Sequence, residues 1–338
     1  MGSYTIKSQK IINFEPTQCI DCKNTELTKN IATAQIMGQQ VSGNYHCAKC
    51  ELLMIVKPAP KTMLLELKKT IAFIFKIDGV DIGDPLGTGF FVKVPVEHIQ
   101  NAEQRYFVTA KHVITDKQGK FLNEIIIRVN KTDGGVIYNK FPLDEKIIFQ
   151  HKEQEVDLVV IPVNIQKDID YKSIPLDIIT ENSIIEQIGM GEGDEVFFSG
   201  LFHHHVGTTK NEPIFRFGKI ALISDEKISW KEEGKTAIET NLYLIECYST
   251  AGNSGSPVFF RVTPQHETTV ISKSYRVYLA GVLRGSFQDS NLIKTYDENV
   301  KGVLAENIGI TAVTPAYKLR EILLSGSAFE HRKLLKSN

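Results

Sequence analysis

No run of eighteen apolar residues occurs in this chain, which excludes a membrane-spanning helix from the sequence reading. The opening, MGSYTIKSQK, lacks the apolar core of an export signal and has Ile6 where N-myristoylation requires Ser or Thr. Excess charge of either sign is also missing. Lys and Arg number 39 against 40 Asp and Glu, a net charge of −1, so no general pull toward nucleic acid or anionic lipid is expected. Cysteine is scarce, with 5 in 338 residues, and without an export signal this argues against a disulfide framework. Long helical periodicity is absent before residues 315–326, and there is no internal repeat or low-complexity tract. These absences leave an ordinary globular protein, expected to be cytoplasmic.

The rest of the sequence is dominated by short apolar runs. Hydrophobic residues make up 42% and charged residues 23%, enough to bury a sizeable core. From residue 70 onward about twelve strand-like runs alternate with turn residues, the pattern of antiparallel β-barrels. They include TIAFIFKI, GTGFFVKV, DLVVIPV and SPVFFRV. PAYKLREILLSG (315–326) starts with Pro and ends near Gly, as a helix does. VKPAPKT reads as a linker. The expected organisation is a cysteine-bearing module over 1–56, a linker over 57–64, the main domain over 65–328 and a solvated basic tail over 329–338.

AGNSGSPV places Ser254 between small residues that let a backbone turn tightly and another chain approach. A serine hydroxyl becomes a nucleophile only with a base, and the base needs an orienting acid. His112, in VTAKHV, follows an apolar strand, and Asp157 heads DLVVIPV. Asp144 and Asp170 compete for the acid's role, but neither heads an apolar run as long.

With GTGFFV, VTAKHV, DLVVIPV, GDEVFFSG, AGNSGSPV, LAGVL and IGITAVTP in this order, the chain resembles the trypsin/chymotrypsin-like serine peptidases over roughly residues 65–326, and most closely their HtrA-like branch. The 45-residue step from His112 to Asp157 equals that of the chymotrypsin-type template, and the 97-residue step to Ser254 is close to it. The resemblance implies a mainly β fold, a chymotrypsin-like double antiparallel β-barrel with a C-terminal helix. It also implies an endopeptidase in which Ser254 is the nucleophile, His112 the base and Asp157 the orienting acid. The N–H groups of Gly252 and Ser254 would form the oxyanion hole, each such donor worth about 3 kcal/mol in the transition state. Asn253 stands where the digestive branch has an Asp that pairs with a newly cut N-terminus, so activation of that kind is not expected. Ser256 replaces a Gly of the GNSGGP form. Few residues follow the last expected helix, so the PDZ-like domain of many HtrA-like proteins is not expected.

Substrate would be a protein or peptide, paired in extended form with a strand edge. The pocket for the residue before the scissile bond is expected at Tyr248, with walls from VLRGS, including Arg284, and IGITAV, including Thr311. With no acid at 248, a medium or small apolar side chain is expected there.

QCIDCKN and HCAKCEL supply Cys19, Cys22, Cys47 and Cys50. Two CxxC turns can close a tetrahedron of thiolates around structural zinc, so residues 1–56 resemble a zinc ribbon. Its five lysines, four acids and ionised thiolates argue against strong phosphate binding and favour docking of a substrate or regulatory protein. FHHHVG (202–207) cannot converge three consecutive His on one ion and is expected at a loop or edge. Cys247 is expected in the core. The competing function is an inactive protease-fold adaptor that binds a protein through the ribbon.

Overall fold

The computed structural model describes short strands and turns between residues 8 and 56, then residues 63–79, 81–232, 235–262, 276–294 and 301–335. The chain divides into two compact units, Met1–Met63 and Leu64–Asn338.

In the first unit, β1 (Ser8–Ile12), β2 (Thr28–Asn30), β5 (Gly43–Cys47) and β6 (Leu52–Val56) form a sheet in the order β1-β6-β5-β2. The pairs β5–β6 and β2–β5 are antiparallel, while β1 runs parallel to β6. A separate pair is made by β3 (Gln35–Ile36) and β4 (Gln39–Gln40). Of the second CxxC pair, Cys47 ends β5 and Cys50 lies in the turn that follows.

Helix α1 (Met63–Lys68) starts at the boundary residue, and the second unit continues through β7 (Ile71–Asp78), β8 (Asp81–Pro95), β9 (Glu103–Thr109), β10 (Glu124–Asn130), β11 (Val136–Pro142), β12 (Phe149–Gln150) and β13 (Val159–Pro162). After β14 (Ile174–Pro175) and α2 (Asn182–Ile188) come β15 (Glu195–Gly200), β16 (Ile214–Ile223), β17 (Ile228–Trp230), β18 (Ile238–Thr240), β19 (Tyr243–Glu246), β20 (Pro257–Val262), β21 (Arg276–Lys294) and β22 (Lys301–Pro315). Helices α3 (Ala316–Leu324) and α4 (Gly326–Lys333) complete it.

One topology is used twice. The later strands close a barrel in the order β15-β16-β19-β22-β21-β20. The earlier ones run β11-β10-β7-β8-β9-β13-β12. Strands β11 and β12, at the two ends of that order, are consecutive in the chain, so together they act as one interrupted strand pairing with β10 on one side and β13 on the other. Numbering six strands in each half then gives the same circular order, 4-1-2-3-6-5. The fold is therefore mainly β and chymotrypsin-like, with helices at the end. Each half has its own core. Ile74, Phe91, Phe107, Ile125 and Val159 belong to the first, and Phe198, Ile245, Val258, Phe260 and Val313 to the second.

The glycines of GTGFFV are explained by close packing. A Cβ on Gly89 would lie 2.0 Å from the Phe107 ring, and one on Gly87 would crowd Val113 and the Ser254 carbonyl. The tail differs from expectation. Helix α4 carries the chain through Lys333, and Arg332 is fully buried. Its guanidinium donates to the carbonyls of Leu323 and Ala328 and to the Tyr106 hydroxyl, and it pairs with Glu97. Carbonyls left open at the end of α3 need donors, and Arg332 supplies them.

Candidate active site

The turn Lys111–Ile114 follows β9, and Asp157 lies two residues before β13, which pairs antiparallel with β9. This pairing brings His112 and Asp157 together. Asp157 Oδ1 accepts the His112 backbone N–H at 2.9 Å, and Oδ2 accepts the ring Nδ1–H at 2.6 Å. With Nδ1 as donor, Nε2 is left as the acceptor of the neutral ring. Asp157 is 6% exposed and the His112 side chain 30%. Burial alone would push the Asp157 carboxyl up. The His112 charge and hydrogen bonds, with the Arg284 guanidinium, outweigh it and hold the group below the ordinary carboxylate range. Burial likewise disfavours a charged His112. Asp157, with help from Glu232, outweighs burial and raises the imidazole above its usual value, while Arg284 opposes the rise.

Ser254 sits on the loop before β20, clamped from both halves. Thr88 of β8 donates its N–H to the Ser254 carbonyl and its hydroxyl to the Gly252 carbonyl. Gly252 and Gly255 have φ of +89° and +85°, the left-handed region where glycine alone is unstrained. A Cβ on Gly252 would meet Leu201 at 2.2 Å, and one on Gly255 would meet the Thr88 carbonyl at 2.0 Å. Asn253 is fully buried; its amide donates to the Leu201 carbonyl and its Oδ1 accepts the Thr250 N–H. Among the described hydrogen bonds none engages the Gly252 or Ser254 N–H. Among the described residues the buried Ser256 hydroxyl has no hydrogen-bond partner, and it fits because Gly200 has no Cβ, whose position would lie 1.9 Å from it.

The Ser254 hydroxyl donates to the Arg284 carbonyl at 3.1 Å. No hydrogen bond joins it to the His112 ring among the described residues. The Arg284 side chain is not a wall of the pocket expected near Tyr248. It is 4% exposed and turned toward Asp157, with Nε 3.8 Å from Oδ2. Nη1 donates to the Glu155 carbonyl at 2.9 Å, Nη2 to Glu232 at 3.3 Å, and the guanidinium lies over the Trp230 ring at 5.4 Å. Sequence reasoning missed Trp230 and Glu232. They come from the β17–β18 hairpin, inserted between the second and third strands of the later barrel. A cavity of about 200 Å³ opens beside His112, Asp157, Trp230, Glu232, Lys235 and Arg284.

Neither Tyr248 nor Thr311 lines that cavity. Tyr248 is 56% exposed and donates its hydroxyl to the Asn307 carbonyl. Thr311 is buried, its hydroxyl committed to the Cys247 carbonyl and Ser249. His203–His205 lie in a turn, with His203 against the Pro85 carbonyl and His205 against Glu212. Cys247 is buried, and burial pushes its thiol up to about 11.

In the first unit the sulfurs of Cys22, Cys47 and Cys50 lie within 4.8 Å of one another, with Cys22 and Cys47 at 3.6 Å. Tetrahedral zinc with Zn–S bonds of about 2.3 Å would hold its sulfurs roughly 3.8 Å apart, so these three fit. Cys19 lies outside the described residues.

No family model matches the chain, and no curated protein matches it. Among solved structures, it is similar to the Rv3671c protease of M. tuberculosis. The active form gives TM-score 0.43 at 14% identity, covering 79% of this chain and 87% of that one. A serine-to-alanine mutant in the inactive form gives 0.40 at 14%, covering 78% and 89%. The inactive form gives 0.39 at 14%, covering 76% and 88%. Similarity at this level leaves the reading of the site to its own geometry. No described helix is long and apolar enough to cross a membrane.

Proposed function

We propose that the second unit is a serine endopeptidase of the HtrA-like kind that cleaves peptide bonds through an acyl-enzyme. The observation that carries the reading is the His112–Asp157 pair, bonded at both backbone and ring, linked through Arg284 to a serine loop whose two amides have no partner among the described bonds. With an extended peptide bound, the Ser254 hydroxyl turns from the Arg284 carbonyl toward His112 Nε2. Oγ attacks the carbonyl carbon as Nε2 takes its proton, and the Gly252 and Ser254 N–H groups receive the oxyanion. The C–N bond then breaks, the amine leaves with the proton from His112, and water repeats the sequence to release the acid. Asp157 stays ionised and keeps Nδ1 protonated. Tyr248 and Thr311 are proposed at the pocket for a medium or small apolar side chain.

We further propose that Cys19, Cys22, Cys47 and Cys50 hold structural zinc in a ribbon spanning residues 1–56, which docks a substrate or regulatory protein in the cytoplasm. Zinc there would tie two knuckles of chain together.

A fluorophosphonate probe tests the enzyme reading. Ser254 is expected to be labelled in the full chain, labelling to vanish in Ser254→Ala, and its rate to collapse in His112→Ala. A second reading has one observation in its favour, the Ser254 hydroxyl held by the Arg284 carbonyl: a protease-fold adaptor that binds without cleaving. No labelling, alone or with peptide substrates present, would establish it.

A further inference from the structure

Arg284 touches both ends of the proposed triad. Its carbonyl accepts the Ser254 hydroxyl, and its guanidinium lies beside the Asp157 carboxylate. The guanidinium is permanently charged and almost wholly buried. Two hydrogen bonds and the Trp230 ring fix it in place. Trp230 is held in turn edge-on to Phe287, at 5.1 Å, and against Gly285, where a Cβ would lie 3.3 Å from the ring. The Arg284 Nε is buried without a hydrogen-bond partner in the described structure. At 3.8 Å from Asp157 it acts through charge rather than through a bond.

We propose that Arg284 is a positioning residue whose buried guanidinium, set beside Asp157 and balanced by Glu232, fixes the pH at which His112 becomes a base. This rests on the serine-hydrolase reading of the site. Several charged groups face His112. Lys111 precedes it on the same turn, Asp157 and Glu155 come from the segment before β13, Glu232 and Lys235 from the connection between β17 and β18, and Arg284 from β21. Lys235 is paired with Glu232 at 2.6 Å, and Glu155 with Lys227 at 2.7 Å. Arg284 and Glu232 bias the imidazole in opposite senses. The positive group favours the neutral ring and the negative group the charged one, in keeping with the directions found for His112.

The opposition gives a test that a purely structural role would not satisfy. The full chain is labelled with ¹⁵N-histidine and the His112 ring titrated by NMR, its signals assigned by their loss in His112→Gln. Arg284→Gln is expected to raise the His112 midpoint by about one pH unit. Arg284→Lys is expected to stay near wild type, and Glu232→Gln to lower the midpoint. Shifts of the same sign, no shift in either neutralised variant, or Arg284→Lys moving as far as Arg284→Gln would overturn the proposal. If Arg284→Gln does not fold, an unmoved or raised midpoint in Glu232→Gln still overturns it. Fluorophosphonate labelling runs alongside. Opposed shifts without wild-type labelling would defeat the hydrolase reading alone, and labelling without opposed shifts would defeat the role of Arg284 alone.

Discussion

The two halves of the repeated barrel bring unlike things to the site. The earlier half delivers a finished device, an acid and an imidazole bonded at 2.6 and 2.9 Å before any substrate arrives. The later half delivers an open one. The Ser254 hydroxyl rests on the Arg284 carbonyl, and none of the described hydrogen bonds engages the Gly252 or Ser254 amide. The difference teaches where reorganisation is tolerable. An imidazole tautomer must be fixed in advance, because an error there leaves no base. A serine hydroxyl needs only one torsional step to change partners, and the amides need only to stay in place.

The largest effect should come from spoiling the finished half. Asp157→Asn keeps the shape but lets the ring adopt the wrong tautomer. The expected loss in the labelling rate of Ser254 is about 10⁴-fold, the size of the corresponding change in the chymotrypsin template. A loss under tenfold would erase the contrast between the halves. Next comes the open half. Gly252→Ala forces a side chain onto a φ of +89° and into Leu201. Displacing one oxyanion donor should cost about 10²-fold in the same assay, in protein that melts lower by an overpacking and backbone strain of about 1–3 kcal/mol but is still folded at the assay temperature.

Stability offers a smaller and more specific probe. Gly200→Ala would drive its Cβ into the Ser256 hydroxyl and toward Thr88, an overpacking expected to cost about 1–3 kcal/mol. Ser256→Gly should relieve part of it, so a double-mutant cycle by denaturant melts should show coupling of at least about 0.5 kcal/mol. Additivity would mean the orphaned hydroxyl does not set the spacing of that turn.

The pH dependence separates acid from base. Asp157 is lowered in the folded state. Its stabilisation is full above the unfolded carboxyl value of about 3.9 and is lost as pH falls through the lowered folded value. His112 is raised. Its share is full below about 6.5 and is lost as pH rises through the raised folded value. The stability difference between wild type and His112→Gln, followed by thermal melts across that range, should therefore shrink on the alkaline side. A difference that grows there would reverse the assignment. The smallest effect on the barrels should come from metal removal. Metal analysis should return about one zinc per chain, and a chelator should strip it without moving the melt of residues 64–338.

Much of this site could be read from the sequence because its chemistry is local. GTG must be small where it meets Phe107 and the serine loop. AKHV and DLVV must lie at the ends of apolar strands, and NSG must turn with positive φ. The same strand runs mark the strands of the second unit, apart from β11, whose partly exposed face weakens its apolar signal, the two-residue β14 and the three-residue strands β17 and β18. What escaped was the partner set of Arg284. Its side chain meets a carbonyl 129 residues away and a carboxylate 52 residues away, and no periodicity encodes such a meeting. Read as a pocket wall, VLRGS conceals an arginine that is buried beside Asp157. The fit of Ser256 against Gly200 escaped for the same reason, since only the folded chain brings the two together.

The two hydrogen bonds from Thr88 have a mechanical consequence. They fasten a strand of the earlier half to the carbonyls of Ser254 and Gly252, the residues whose amides are proposed to receive the oxyanion. A ligand that wedges the barrels apart must pull on that fastening and drag the amides off target. On the serine-peptidase reading, good substrates would be those thin enough to bind without prying the two halves apart, and bulk that parts them would slow cleavage even where it strengthened binding.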